Sequence, residues 1–292
     1  MAREMVAQHR NHPSIFAWGI FNEIYNMKMT EAPEPRLQAL ADYVRSLDPS
    51  RPVTGASNGT GEKRKALNAI PDQLGLNLYP GWYGKSSDKM GETLDESFAA
   101  SGRSTAAVTE YGGGGCIGQH ADPLKFRPKP AGADHPEEYQ AMHHVENYRA
   151  IAKDGRLWGS FLWVMFDLGS DARREGAFMG RNDKGLVTWD RKNLKDAYYF
   201  YRANWTDTPT LRLVGTRMTT VTNSTATVLG FSNVGDVTLK VNDRAVGTLV
   251  PDEVKTVLWK DVLLVPGPNK IELTAGERTV SATWNFAEDC PR

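Results

Sequence analysis

Two glutamates end apolar runs in this chain, and both carry a side chain that can act as an acid, a base or a nucleophile. Glu23 follows Asn22 at the end of a run over residues 14–22, and Glu110 ends a shorter run over residues 105–110. Such runs are typical of strands that are buried on both faces of a parallel sheet. Catalytic groups gather at the carboxyl ends of barrel strands, so both glutamates are candidates for catalysis. A solvated loop glutamate is the alternative for either residue taken alone.

A pair of strand-end carboxylates has a well-defined use. Two carboxyl groups that flank a glycosidic bond can hydrolyse it, because one protonates the leaving oxygen while the other attacks the sugar or activates water. The pair therefore suggests a glycosidase, and carbohydrate is the expected binding partner.

The composition of the chain favours an uncharged ligand. Its 292 residues suffice for one large and one small domain. The 35 lysines and arginines balance 35 aspartates and glutamates, and no long basic stretch is present, so we expect no nucleic-acid partner. Eight tryptophans and ten tyrosines suit stacking on sugar rings, with core packing as the alternative for each of them.

No metal site, cofactor or disulfide framework is expected. The two cysteines, Cys116 and Cys290, belong to different predicted domains, and neither has metal-ligand spacing. The histidines His120, His143 and His144 lack such spacing as well. The first residues carry charges where a signal peptide would be apolar, and no run is long enough to cross a membrane. The sequence as written therefore predicts a soluble, cytoplasmic protein without a membrane partner.

Strands and helices alternate along the first two thirds of the chain. We predict strands at residues 14–22, 52–57, 73–79, 105–110 and 157–166, and helices at 2–11, 37–47, 62–68, 92–100, 136–153 and 194–203. This alternation indicates an α/β domain over residues 1–205, with a parallel sheet and right-handed crossovers.

The pattern changes after Trp205. Five segments alternate apolar and polar residues and predict strands near residues 210–214, 225–231, 237–242, 256–259 and 269–274. Residues 206–292 are therefore predicted to form a small all-β sandwich. It is interpreted as a structural support, with carbohydrate binding as the alternative.

Several motifs resemble, in order, glycoside hydrolase family 2 over about residues 3–205. They are His12-Pro13-Ser14-Ile15 leading through Trp18 to Asn22-Glu23, Asn77-Leu-Tyr-Pro-Gly-Trp-Tyr83, Thr109-Glu-Tyr-Gly112, and Asn182-Asp-Lys-Gly-Leu-Val187 with Asp190-Arg191. The resemblance implies a partial (β/α)8 TIM-type barrel, in which the five strands correspond to about strands 4 to 8, followed by an immunoglobulin-like sandwich. The missing strands would leave open, apolar sheet edges, so we expect a homo-oligomer that covers them.

The same resemblance assigns roles to individual residues. It implies a retaining, exo-acting glycosidase in which Glu110 is the nucleophile and Glu23 is the general acid/base, with weak activity because the barrel is incomplete. Asn22 is expected to contact the sugar 2-hydroxyl, and Tyr79 to donate a hydrogen bond to Glu110. Further expected substrate-binding residues are Asn77, which shares one face of its strand with Tyr79, and Trp82, Tyr83, Trp163, Asn182 and Lys184.

The choice of sugar stays open at this point. The segment around Asn182 and residues 195–205 looks most like β-galactosidases of the family. Asn182 and Lys184 also match an Asn-x-Lys feature with which β-glucuronidases hold a sugar carboxylate, and a lysine can pair with such an acid. A further alternative is a non-catalytic or split-enzyme remnant that binds carbohydrate without hydrolysing it.

Overall fold

A computed structural model describes residues 1–26, 32–59 and 64–287 of the chain. Cys290 and the first two residues of the helix predicted at 62–68 lie outside the described residues. The helices are Ala2–His9 (α1), Glu34–Leu47 (α2), Lys65–Ala69 (α3), Met90–Ser101 (α4), Glu137–Ile151 (α5) and Asp196–Trp205 (α6). The first seven strands are Trp18–Asn22 (β1), Val53–Ser57 (β2), Gln73–Asn77 (β3), Ala106–Glu110 (β4), Leu157–Ser160 (β5), Leu168–Gly169 (β6) and Arg181–Asn182 (β7).

The chain divides into two compact units, each assembled from separate segments. The first unit consists of Met1–Pro80, Asp88–Tyr111 and Ala150–Leu162, and the second of Gly81–Ser87, Gly112–Arg149 and Trp163–Arg292. The domain boundary that the sequence predicts after residue 205 stays a prediction.

The first unit contains a five-stranded sheet in which all neighbours are parallel and the spatial order is the chain order, β1 to β5. The predicted α/β alternation is therefore present. Apolar residues of β1 and β2 pack with α1 and α2, because strand and helix side chains on that side form one buried cluster, including Val6, Trp18, Ala41, Val44 and Val53. The indole Nε1 of Trp18 donates to Asp48, which satisfies its only polar atom.

Two strands of the first sheet are several residues shorter than predicted, and each has a local reason. The predicted strand 14–22 is ordered as a strand only from Trp18, since the carbonyl oxygen of Ile15 accepts a hydrogen bond from the Arg51 side chain. The predicted strand 157–166 ends at Ser160, and Val164 instead donates to the backbone of Lys184. The chain has left the parallel sheet at that point.

The second unit contains α6, the β6 and β7 pair, and eight strands after residue 210. These strands are Leu211–Leu213 (β8), Thr220–Val221 (β9), Thr225–Ser232 (β10), Val237–Val241 (β11), Arg244–Leu249 (β12), Thr256–Leu263 (β13), Gly267–Ala275 (β14) and Arg278–Phe286 (β15). They form one sheet of order β13-β10-β8 and another of order β12-β11-β14-β15-β9. Side chains of both sheets share one buried core. The sequence analysis named five of these strands and missed β9, β12 and β15.

Among the described helices, none combines the length and apolar character that crossing a bilayer requires.

Candidate active site

The carboxyl end of β1 delivers Glu23 in an unusual backbone conformation. The chain at Glu23 has φ of 48°, in the left-handed region that non-glycine residues rarely adopt. The backbone N–H of Glu23 still donates to the carbonyl oxygen of Ala56 on β2, at 2.9 Å. Strained residues of this kind cost about 1–3 kcal/mol and cluster at functional sites, which makes the placement of this carboxylate notable.

Asn77, at the end of β3, links several of these strand ends through one amide group. Its Nδ2 donates to Glu23 Oε1 at 2.8 Å and to Asn22 Oδ1 at 3.1 Å, while its Oδ1 accepts from Thr109 Oγ1 at 2.7 Å. The amide orientation is thereby fixed by partners on both sides. Asn77 therefore holds Glu23 in position.

Tyr79 follows β3 and contacts the second carboxylate. Its hydroxyl donates to Glu110 Oε2 at 2.7 Å, at the carboxyl end of β4. A hydrogen bond to a carboxylate favours the ionised form, which is the form that a nucleophile needs. The geometry thus contains the donor that the sequence analysis expected from Tyr79.

Thr109 is a member of this cluster that the sequence analysis did not single out. Its side chain occupies the space beside Gly75, where an added Cβ would lie 2.7 Å from Thr109 Oγ1. A glycine inside a predicted strand often marks a close approach, so Gly75 was the available signal. The strand ends of the first unit therefore contain two hydrogen-bonded groups. One joins Asn77 to Asn22, Glu23 and Thr109, and the other joins Tyr79 to Glu110.

The remaining predicted site residues belong to the second unit, where Lys184 is the most informative. This side chain is 1% exposed, yet its Nζ lies within salt-bridge distance of no carboxylate among the described residues. The ammonium donates to Tyr83 Oη at 2.9 Å and lies 5.2 Å and 5.1 Å from the ring centres of Trp82 and Tyr83. A buried cation without a counter-ion is costly, and two aromatic rings compensate only part of that cost.

The hydroxyl of Tyr83 is shared between two cations. Burial alone would raise the pKa of Tyr83, but the charges and hydrogen bonds of Lys184 and Arg173 lower it below the usual value. Arg173 itself is paired with Glu175. Arg173 was not singled out from the sequence, and no spacing rule points to it.

Three further predicted residues differ in what surrounds them. Trp82 is buried at 1% exposure and makes an edge contact with His135, with ring centres 4.9 Å apart. Asn182 is buried, and its Oδ1 accepts from the backbone N–H of Lys184 at 3.1 Å. Trp163 is partly buried, and its carbonyl oxygen lies against Gly112. Asn182 therefore shapes the backbone that presents Lys184.

Two histidines of the second unit, one buried and one partly buried, are paired with carboxylates of the protein. His135 Nδ1 lies 2.7 Å from Asp183 Oδ2, and His120 Nδ1 lies 2.7 Å from Glu138 Oε1. Burial lowers the pKa of His143 to about 3. Within the described residues, no group of three or more His, Cys, Asp or Glu side chains is arranged to hold a metal ion.

Comparison with known proteins identifies a family of glycosidases. The model of the family described as "Glycosyl hydrolases family 2, TIM barrel domain" matches residues 1–208. A β-glucuronidase of Bacteroides fragilis is 38% identical over 292 residues, which is 99% of this chain and 41% of that protein.

The solved structures to which the chain is similar include glycosidases. The crystal structure of an FMN-binding β-glucuronidase from Facaelibacterium prausnitzii L2-6 is 33% identical with a TM-score of 0.86, over 99% of this chain and 44% of that one. A putative β-galactosidase from Bacteroides fragilis is 26% identical with a TM-score of 0.87, over 98% of this chain and 43% of that one. The chain therefore spans about two fifths of the length of these relatives.

Proposed function

The chain belongs to glycoside hydrolase family 2, and we propose that it acts on β-glucuronides as an exo-acting, retaining hydrolase. The observation that carries the choice of sugar is the buried ammonium of Lys184, which has no carboxylate at salt-bridge distance among the described residues. A site that keeps such a charge in place is suited to an anionic ligand, and the carboxylate of a glucuronide supplies the missing charge.

This proposal reverses the order of the two sugars in the sequence analysis. There, the segment around Asn182 favoured β-galactosidase, with β-glucuronidase as the alternative. The names of the relatives support β-glucuronidase more strongly, and a β-galactosidase name occurs at lower identity. A neutral galactoside would leave the ammonium of Lys184 without a counter-ion, which is the physical reason to prefer the glucuronide.

The proposed reaction assigns one task to each carboxylate. Glu23 donates a proton to the leaving oxygen while Glu110 attacks the anomeric carbon, which gives a covalent glycosyl-enzyme. Glu23 then removes a proton from water, which attacks the same carbon and releases Glu110. Tyr79 orients Glu110 by donating to Oε2, and Asn77 keeps Glu23 oriented by donating to Oε1.

The two predicted domain folds and self-association of the chain are also part of the proposal. We propose that the five parallel strands are part of a TIM-type barrel and that the strands after residue 210 form an immunoglobulin-like sandwich. Phe16, Trp158 and Phe161 flank the two edges of the five-stranded sheet and are 56%, 36% and 44% exposed. Exposed apolar groups at unpaired edges favour association, so self-association of the chain is part of the proposal.

The proposed function is tested with two chromogenic substrates that share one leaving group. We expect a higher kcat/KM on 4-nitrophenyl β-D-glucuronide than on the matching β-D-galactoside. Replacing Lys184 by Met should lower kcat/KM on the glucuronide by about 10- to 100-fold, which is the value of one charge-assisted hydrogen bond, and leave the galactoside unaffected.

Two other outcomes have defined meanings. A galactoside preference that survives Lys184→Met would overturn the choice of sugar. A chain that hydrolyses neither substrate, but binds glucuronate in calorimetry and loses that binding in Lys184→Met, would support the carbohydrate-binding remnant in place of the enzyme.

A further inference from the structure

The second unit contains a cavity that the proposed reaction does not use. Its volume is about 610 Å³, within the range of small-ligand sites. The lining comes from the loop over residues 115–119, from Asp167, and from residues within 177–195. Trp82, Tyr83 and Lys184 do not line it. Asp183 and Lys184 are neighbours in sequence, but Asp183 faces this cavity and His135, whereas Lys184 reaches Tyr83.

Arg181 gives the cavity its distinctive chemistry. Its guanidinium carbon lies 4.3 Å from the ring centre of Phe178 and 5.7 Å from that of Trp189. Both aromatic side chains are about half exposed, at 51% and 52%. Among the described residues, no carboxylate lies at salt-bridge distance from Arg181. The positive charge of Arg181 therefore contacts two aromatic rings and has no carboxylate beside it among the described residues.

The acidic groups of the lining already have partners of their own. Asp167 Oδ1 accepts from Lys195 Nζ at 2.7 Å, Asp183 Oδ2 lies 2.7 Å from His135 Nδ1, and Asp190 Oδ1 accepts from Thr188 Oγ1 at 2.6 Å. These three carboxylates do not neutralise Arg181.

We propose that this cavity is a second carbohydrate-binding site, which takes an acidic sugar unit. Arg181 would pair with the sugar carboxylate in the planar, two-pronged manner that a guanidinium allows. Phe178 and Trp189 offer apolar ring surface for the C–H face of the sugar. The carboxylates of the lining have further lone pairs that accept sugar hydroxyls, which an aromatic anion without hydroxyl groups does not offer. The assignment stands on these residues and does not depend on hydrolysis by Glu23 and Glu110.

The test uses the Lys184→Met chain, so that glucuronate binding at the site of the proposed function is weakened. Calorimetric titration with D-glucuronate should still show binding. Adding Arg181→Gln should weaken that binding at least about tenfold, and D-glucose should bind at least about tenfold more weakly than glucuronate. Arg181→Lys keeps the charge but not the fork, so its affinity should lie between those of Arg and Gln. Trp189→Ala should also weaken binding, because it removes one ring.

The control variant changes a charge outside the cavity. Lys192→Gln removes an exposed charge from the same loop without touching the cavity lining, and glucuronate affinity should not change. Near-ultraviolet circular dichroism would verify that each variant keeps its fold. If Lys184→Met alone abolishes all glucuronate binding, this inference fails while the proposed function stands. If Arg181→Gln binds as tightly as its parent, or 2-naphthoate binds more tightly than glucuronate, the acidic-sugar assignment is wrong.

Discussion

The carboxylates of the first unit and the lysine of the second are both buried or half-buried charges, but they are stabilised in opposite ways. Glu23 and Glu110 each receive a hydrogen bond from a neighbouring side chain, Asn77 and Tyr79. Lys184 is almost fully buried and lies among aromatic rings, and no carboxylate of the described residues is at salt-bridge distance. Under the proposed function, the two carboxylates are already oriented for catalysis, whereas Lys184 gains its counter-charge when the anionic substrate binds.

Catalytic groups and groups that recognise a charged ligand need different surroundings. Groups that transfer protons or electrons must be held at a fixed angle in every state, so they are tied to the scaffold. A group that recognises a charge gains most when its counter-charge arrives with the ligand, since the buried charge is then neutralised. Lys195 is a buried lysine whose counter-charge belongs to the protein itself. It is as buried as Lys184 but is paired with Asp167 at 2.7 Å.

The largest effect on the rate is expected at Glu110, the proposed nucleophile. Glu110→Gln should lower kcat by roughly 10⁴-fold or more, because no other group can form the glycosyl-enzyme. A 2-fluoro glucuronide should label the peptide that contains Glu110, as read by mass spectrometry. Labelling of a different peptide, with Glu110→Gln still active, would remove Glu110 from this role.

Glu23 should show a dependence on the leaving group. Glu23→Ala should lose about 10²- to 10⁴-fold in rate on alkyl glucuronides, which need protonation of the leaving oxygen. The 4-nitrophenyl substrate needs less protonation, so its first step should be spared, and added azide should restore turnover. Steady-state rates with and without azide measure this. Equal losses on both substrates and no response to azide would make Glu23 structural.

The two buried lysines should respond to the same substitution with opposite signs of stability. Lys184→Met removes a buried charge that has no counter-ion, so the free energy of unfolding should rise by about 1–2 kcal/mol. Lys195→Met leaves Asp167 buried without its partner, so the free energy of unfolding should fall by about 3–5 kcal/mol. Urea unfolding measures both. Similar losses in the two variants would mean that Lys184 has a counter-charge after all.

The buried histidine His143 should make the second unit sensitive to acid. Burial, aided by the charges of Arg127 and Lys184, lowers the pKa of His143 to about 3. An unfolded histidine binds its proton near pH 6.5, so the unfolded state holds more protons between these values and stability falls as pH drops. The loss should reach about 2 kcal/mol between pH 6.5 and 4.5.

His143→Phe is the variant that tests this, since it keeps a ring and removes the titration. Its free energy of unfolding should vary less with pH over that range, as followed by urea unfolding at several pH values. Replacement of the exposed His9 by Phe should leave the slope unchanged. A wild-type slope that persists in His143→Phe would assign the acid sensitivity to other groups.

The smallest effect is spectroscopic. The pKa of Tyr83 is lowered because Lys184 and Arg173 outweigh burial, so the folded protein should release this proton below pH 10. A tyrosine with a lowered pKa adds stability as pH rises from its folded pKa to 10 and adds nothing at neutral pH. Absorbance at 295 nm in wild type against Tyr83→Phe isolates the titration. Lys184→Met should move it upward, and an unchanged curve would place the cation elsewhere.

Local sequence was sufficient for the elements that carry the carboxylates. The alternation of apolar runs and amphipathic segments predicted five parallel strands and their helices, because side-chain periodicity reports which faces are buried. It also predicted the strand-end position of Glu23 and Glu110. Strand ends were less well predicted, since side chains such as Arg51 and distant segments such as residues 184–187 take over the backbone hydrogen bonds.

The sequence by itself therefore determined the family, the strand order of the first sheet and the candidates for acid and nucleophile. Tertiary structure alone decided that Thr109 and Asn77 orient Glu23, and that Arg181 contacts two rings. It also decided that Lys184 is buried with no counter-ion among the described residues, while Lys195 has one. The physical reason is that a charge acquires its meaning from its partners. The partners of Asn77, Lys184 and Lys195 lie many residues away in sequence and become neighbours only when the chain folds.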